Sequence, residues 1–105
     1  MGCGASISGT LKGDVVVEFG KIKNDASGVP TITCQNDGSI LVCSRQNGTF
    51  LVQAFPPDGG DPTIVIGGDG KIENDASGVP TIAAKSDGSI LVCSRVGGQF
   101  QVTQF

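Results

Sequence analysis

The side chains that perform acid–base and nucleophilic chemistry are few in this 105-residue chain. It contains no histidine, so Ser–His–Asp and Cys–His arrangements and the commonest general base are excluded. Most acidic residues lie beside Gly or Asn, where a carboxylate typically caps backbone N–H groups in a turn. We therefore expect no catalytic residue and no cofactor, and we interpret the protein as something other than an enzyme.

Several polar side chains remain as candidate binding residues. Oxygen ligands of the kind that Ca²⁺ prefers are offered by Asp69, Asn74 and Asp75, although the EF-hand spacing is absent. Four residues are candidates for binding a ligand: Arg45, Arg95, Asp37 and Asp87. The two arginines would bind an anionic ligand. The structural alternative is that the aspartates cap turns and that each arginine pairs with a nearby carboxylate or extends along the sheet edge.

The four cysteines suggest assembly or disulfide roles. Cys43 and Cys93 lie in two copies of the apolar run SILVC and are predicted to be buried. With a two-residue turn after its strand, Cys34 would face Leu41, making Cys34 and Cys43 diagonal neighbours and a candidate disulfide pair. Cys3 lies in a Gly-rich tail from which it can reach another subunit. Disulfides would imply an extracellular or surface location.

The N-terminus MGCGAS supports a second hypothesis for the tail. It fits the N-myristoylation pattern at Gly2, with Cys3 placed for palmitoylation. Two acyl chains would tether the protein stably to the cytoplasmic face of a membrane. The tail therefore predicts either an assembly-forming segment or an acylated anchor.

Composition and charge narrow the fold class and the partners. The net charge is −3 and no basic stripe is present, so nucleic acid is not an expected partner. No apolar run reaches 18 residues, so no membrane-spanning helix is expected. Val and Ile number 20 against four Leu, and Gly and Pro number 22. Frequent β-branched residues and frequent chain breakers predict an all-β protein.

An internal repeat is the strongest feature of the sequence. Residues 20–55 and 70–105 are identical at 25 of 36 positions, which indicates a duplicated supersecondary unit. The chain divides into a tail (1–12), a first repeat (13–55), a linker (56–62) and a second repeat (63–105). Each repeat is predicted to be a four-stranded antiparallel meander. The predicted strands are 14–19, 30–35, 39–44 and 49–55, then 63–66, 80–85, 89–94 and 99–105.

The repeat also predicts how the units pack. SILVC is apolar on both faces of its strand, since alternate side chains point to opposite sides. Both faces must then be covered, by the other repeat and by further copies, so we expect the protein to associate with itself. An eight-stranded sandwich or barrel is the alternative to two blade-like units.

The segment PTIAAKSDGSILVCSRVGGQFQVTQF resembles one blade of a β-propeller. It has a strand, an Asp-Gly hairpin, an ILV strand, a Gly-rich turn and a strand with aromatic residues. Propellers contain about four to eight blades, so the resemblance implies an oligomer of two-blade chains. The implied family is that of small oligomeric propeller lectins, which would make glycans the partner.

Three functions therefore remain as hypotheses. The first is a non-catalytic structural protein that forms a ring, shell or filament. The second is a glycan-binding propeller. The third is an acylated membrane-tethered interaction module.

Overall fold

The computed structural model describes residues 13–18 and 20–105, and it confirms an all-β fold. The described residues form seven strands. These are β1 (Thr31–Cys34), β2 (Ile40–Gln46), β3 (Thr49–Phe55), β4 (Thr63–Ile66), β5 (Thr81–Ala84), β6 (Ile90–Val96) and β7 (Gln99–Gln104). The first sheet has the order β1-β2-β3-β4 and the second sheet the order β5-β6-β7, all antiparallel. No helix capable of crossing a membrane occurs in the ranges described.

Strand β4 belongs to a different sheet from the one predicted. The sequence places residues 63–66 in the second repeat, but β4 pairs with β3, aligning Ile64 with Gln53 and Thr63 with Ala54. Residues 56–62 thus connect two neighbouring strands of the first sheet. Residues 14–18, which were expected to begin a strand, form none. The first sheet therefore takes its fourth strand from later in the chain, and the second sheet has three strands within the described residues.

The hairpin turns explain the strand register. Asn47 and Gly48 have φ angles of 55° and 79°, as a two-residue turn with left-handed central residues requires. The Asp-Gly hairpin is different: the Gln35 amide donates to Ser39 and the Gly38 amide donates to Gln35. Its loop has three residues rather than the predicted two, with Gly38 at φ 90°.

This one-residue difference moves Cys34 to the other face of the sheet. Cys34 pairs with Ile40, whereas Cys43 pairs with Thr31. Directly opposed residues project from the same face, so Cys34 and Cys43 lie on opposite faces of the first sheet. The prediction that they are diagonal neighbours is wrong.

The two sheets pack face to face around a shared core. Its members are Leu41, Cys43, Phe50, Val52 and Ile66 of the first sheet, Ile90 and Val92 of the second, and Ile72 of the connecting segment. Val79, Ile82 and Ala84 pack against its margin. The first sheet therefore contributes the face bearing Leu41 and Cys43. The second sheet contributes the face bearing Ile90 and Val92, which in the repeat is the opposite face.

Hydrogen bonds join the two sheets along β1 and β5. Thr31 Oγ1 donates to the Pro80 carbonyl oxygen at 2.5 Å, and Thr33 Oγ1 accepts from the Ala84 amide at 3.3 Å. Asn36 Nδ2 donates to the Ser86 carbonyl oxygen at 3.0 Å. These bonds fix the position of one sheet against the other.

Candidate functional site

One face of the second sheet is left uncovered. We call it the open face, and it consists of Leu91, Cys93, Phe100 and Val102. Phe100 is 78% exposed and Val102 is 63% exposed, whereas Phe50 and Val52 at the same repeat positions are 8% and 0% exposed. The expectation that both faces of SILVC are covered therefore holds for the first repeat alone.

The outer edge of β7 borders the open face and carries backbone groups that pair with no other strand among the described residues. Ile90 and Phe105 exchange both of their backbone hydrogen bonds, so alternate residues of β7 also bond to β6. The backbone groups of Phe100, Val102 and Gln104 then point to the other side. Within the described residues β7 pairs with β6 alone. An apolar face and a free sheet edge thus meet at one end of the molecule.

The two arginines lie in identical clusters within their own repeats. Arg45 Nε donates to Asp25 Oδ1 at 2.6 Å, and Arg45 Nη2 donates to the Asp25 carbonyl oxygen at 2.7 Å. Arg95 makes the same two bonds to Asp75, at 2.6 and 2.8 Å. Asn74 Oδ1 accepts from the Arg95 amide at 3.0 Å. Each cluster fastens a DASG loop to a hairpin, which favours a structural role for Arg45 and Arg95 over ligand binding.

The same ion pairs predict an acid limit to stability. Hydrogen bonding from Arg45 holds the pKa of Asp25 below its ordinary value, and Arg95 does the same for Asp75. A carboxylate whose pKa is lowered by folding stabilises the fold above its unfolded pKa, and this contribution disappears as pH falls through the folded pKa. We expect the urea concentration at the midpoint of unfolding to decrease once the pH is lowered below about 4. In Asp25→Asn/Asp75→Asn protein this fall should be smaller, and an equally steep fall would contradict the prediction.

Asp37 and Asp87 act within their hairpin turns. Asp37 Oδ1 accepts from the Ser39 amide at 2.8 Å, and Asp87 Oδ1 accepts from the Ser89 amide at 2.9 Å. The Ser39 and Ser89 hydrogen bonds lower the pKa of these two carboxyls. Asp37 precedes β2 whereas Arg45 lies near its other end, so the fold does not bring the predicted ligand-binding residues of one repeat together.

The candidate calcium ligands each have another partner. Asp75 is paired with Arg95, and Asp69 lies 3.9 Å from Lys71 Nζ. Asn74 Nδ2 donates to the carbonyl oxygens of Ala76 and Gly78, at 3.3 and 3.4 Å. Over residues 13–18 and 20–105, no group of three or more His, Cys, Asp or Glu side chains is arranged to hold a metal ion.

The equivalent cysteines differ in their surroundings. Cys43 is buried, as predicted, and burial raises the pKa of its thiol to about 11. Cys93 is exposed on the open face, so the prediction that it is buried is wrong. Gly2 and Cys3, the acylation candidates, lie outside the described residues, and their modification stays a prediction.

Thiol labelling should separate these two cysteines. The thiolate is the reactive form and Cys43 is both buried and protonated at neutral pH. We expect an alkylating reagent at about pH 8 to modify Cys93 at least about 100-fold faster than Cys43 in dilute native protein. Peptide mass mapping measures both rates. Equal rates in native protein would contradict the prediction, and equal rates in urea are the control.

Comparison of the chain with protein-family models, with curated proteins and with solved structures found no match.

Proposed function

We propose that this protein is a non-catalytic structural protein that assembles with copies of itself, head to tail, through the open face. One observation carries the proposal: the same residue positions are covered by a sheet in the first repeat and exposed in the second. Large exposed apolar patches mark interaction surfaces in soluble proteins. The packing inside the chain indicates what kind of surface fits this patch.

A second copy presents part of that surface on its first repeat. In the chain, Val79 and Ile82 of the second repeat pack against the core that the two sheets share. Their repeat equivalents, Val29 and Ile32, are 79% and 63% exposed. The open face of one copy therefore matches Val29 and Ile32 of the next, the exposed part of a face on which Val42 is already buried within the single chain.

Polar groups support the same arrangement. Thr31 donates its hydroxyl to Pro80 across the junction between the sheets. Thr81, its repeat equivalent, is exposed, and in the assembly it would donate to the carbonyl oxygen of Pro30 in the next copy. Repetition of a head-to-tail contact produces a closed ring or an open filament, depending on the rotation between copies. A ring is also what the propeller resemblance implies.

Light scattering across a wide concentration range tests the proposal, with and without a reductant. We expect species heavier than the 10.6 kDa chain whose proportion grows with concentration. Electron microscopy of the heavier fraction then distinguishes rings from filaments. A single 10.6 kDa species at every concentration, in both conditions, would refute self-assembly.

A further inference from the structure

We propose that residues 13–16 of one copy add to the free edge of β7 in the neighbouring copy as a fourth strand. This inference rests on the proposed self-assembly and specifies a second contact within it. The proposed contact follows the pairing of β3 with β4 that is observed inside the chain. The occupant of the edge is therefore a second copy of this protein, through one defined segment.

The repeat fixes the expected register. A shift of 50 residues converts β4 into residues 13–16 and converts the paired part of β3 into residues 102–104. The observed pairs are Val52↔Ile66, Gln53↔Ile64 and Ala54↔Thr63. The corresponding pairs between copies are Val102 with Val16, Thr103 with Asp14, and Gln104 with Gly13.

Both surfaces are available in the single chain. Val15 and Val16 are 81% and 72% exposed, and residues 13–16 form no strand. Their β-branched side chains favour an extended conformation. On the other side, the outward backbone groups of β7 form the kind of edge to which an extended segment can add with main-chain hydrogen bonds.

The connecting segment makes strand addition compatible with packing of the faces. In the chain, β4 is followed by a segment containing residues 70–80, GKIENDASGVP, which leads to β5 in the sheet packed on the first. Residues 13–16 are followed at the same distance by residues 20–30, GKIKNDASGVP, which lead to β1. A neighbour whose first sheet covers the open face can therefore place residues 13–16 on β7 with a connection of the same length.

Disulfide trapping tests this register. Gln53 bonds to β2 on its inner side, so its pairing with Ile64, which adjoins the register shift between Val52 and Gln53, is of the non-hydrogen-bonded type, in which a regular ladder places Cα atoms about 4.5 Å apart. That spacing permits a disulfide. The test variant is Asp14→Cys/Thr103→Cys, and the matched control is Gln53→Cys/Ile64→Cys, which should close the equivalent bridge within one chain. Both single variants and the unchanged chain give the background from native cysteines.

Equal amounts of normal and ¹⁵N-labelled test variant are mixed under assembling conditions, oxidised and digested. We expect a peptide joining positions 14 and 103 that contains one light and one heavy partner, at several times the yield found with Asp14→Cys/Gln101→Cys. Assembly without this peptide would overturn strand addition and leave self-assembly standing. A bridge confined to single chains would also overturn it. An Asp14→Cys/Thr103→Cys protein that matches the unchanged chain in circular dichroism and in light scattering shows that these results come from folded molecules that assemble normally.

Discussion

Replacing Val102 with aspartate is expected to dissociate the proposed assembly into folded single chains. Val102 is 63% exposed in the single chain, whereas Val52 at the same repeat position is completely buried by the second sheet. A neighbour that covers the open face in the same way would bury the new carboxylate without a partner. That costs at least about 3 kcal/mol, which weakens association at least about 100-fold. Sedimentation velocity at matched concentrations measures the loss.

Thr63→Asp is the matched control for this substitution. Thr63 is exposed and also lies in an outer strand of a sheet, but it pairs with Ala54 and so projects from the face of the first sheet opposite to Ile32, outside the open face. The control therefore introduces the same charge in an exposed outer strand and should leave association within a few-fold of the unchanged chain. If both variants dissociate equally, or if neither does, the open face is not the contact surface.

Local patterns predicted most of the strands because turn residues and β-branched runs act over short distances. Strands β3 and β4 have the bounds predicted for them, 49–55 and 63–66. The loop length of the Asp-Gly hairpin was not predictable in the same way. Gly38 supplies a positive φ in both a two-residue and a three-residue loop, and the two alternatives place Cys34 on opposite faces.

The repeat pattern could not predict which strands distant in the sequence pair with one another. A fixed period leaves the starting point of each unit undefined, so residues 63–66 can open the second repeat or complete the first sheet. Their pairing with β3 shows the second alternative. The sequence offered a carboxylate partner for Arg45 as the structural alternative but did not identify Asp25, since the two residues are 20 positions apart in sequence.

The open face could not be predicted from the local sequence at all. Cys43 and Cys93 lie in the identical run DGSILVCSR, yet the first is buried and the second is exposed. Their difference arises from what lies against each sheet, which neither run encodes. A usable signal was nevertheless present, because a head-to-tail pair of identical units always leaves one face without its neighbour.

Replacing Leu41 and Leu91, which occupy equivalent repeat positions, with alanine should measure directly how differently the two side chains are buried. Leu41 has no exposed surface, whereas Leu91 is half-buried on the open face. We expect Leu41→Ala to lower the free energy of unfolding by about 2–5 kcal/mol. Leu91→Ala should lower it by about 1 kcal/mol, since less surface is removed from water when the single chain folds. Urea denaturation of dilute protein measures both.

The same two variants should respond differently to concentration. Leu41 is already covered within the chain, so assembly adds little to the cost of removing its side chain. Leu91 becomes buried when a neighbour covers the open face, and Leu91→Ala should then weaken association as well as folding. The difference between the urea midpoint of Leu91→Ala and that of the unchanged chain should therefore grow as protein concentration rises. A cost for Leu91→Ala that equals that of Leu41→Ala in dilute protein would show that the second sheet is covered from within the chain, and that no neighbouring copy is needed to bury it.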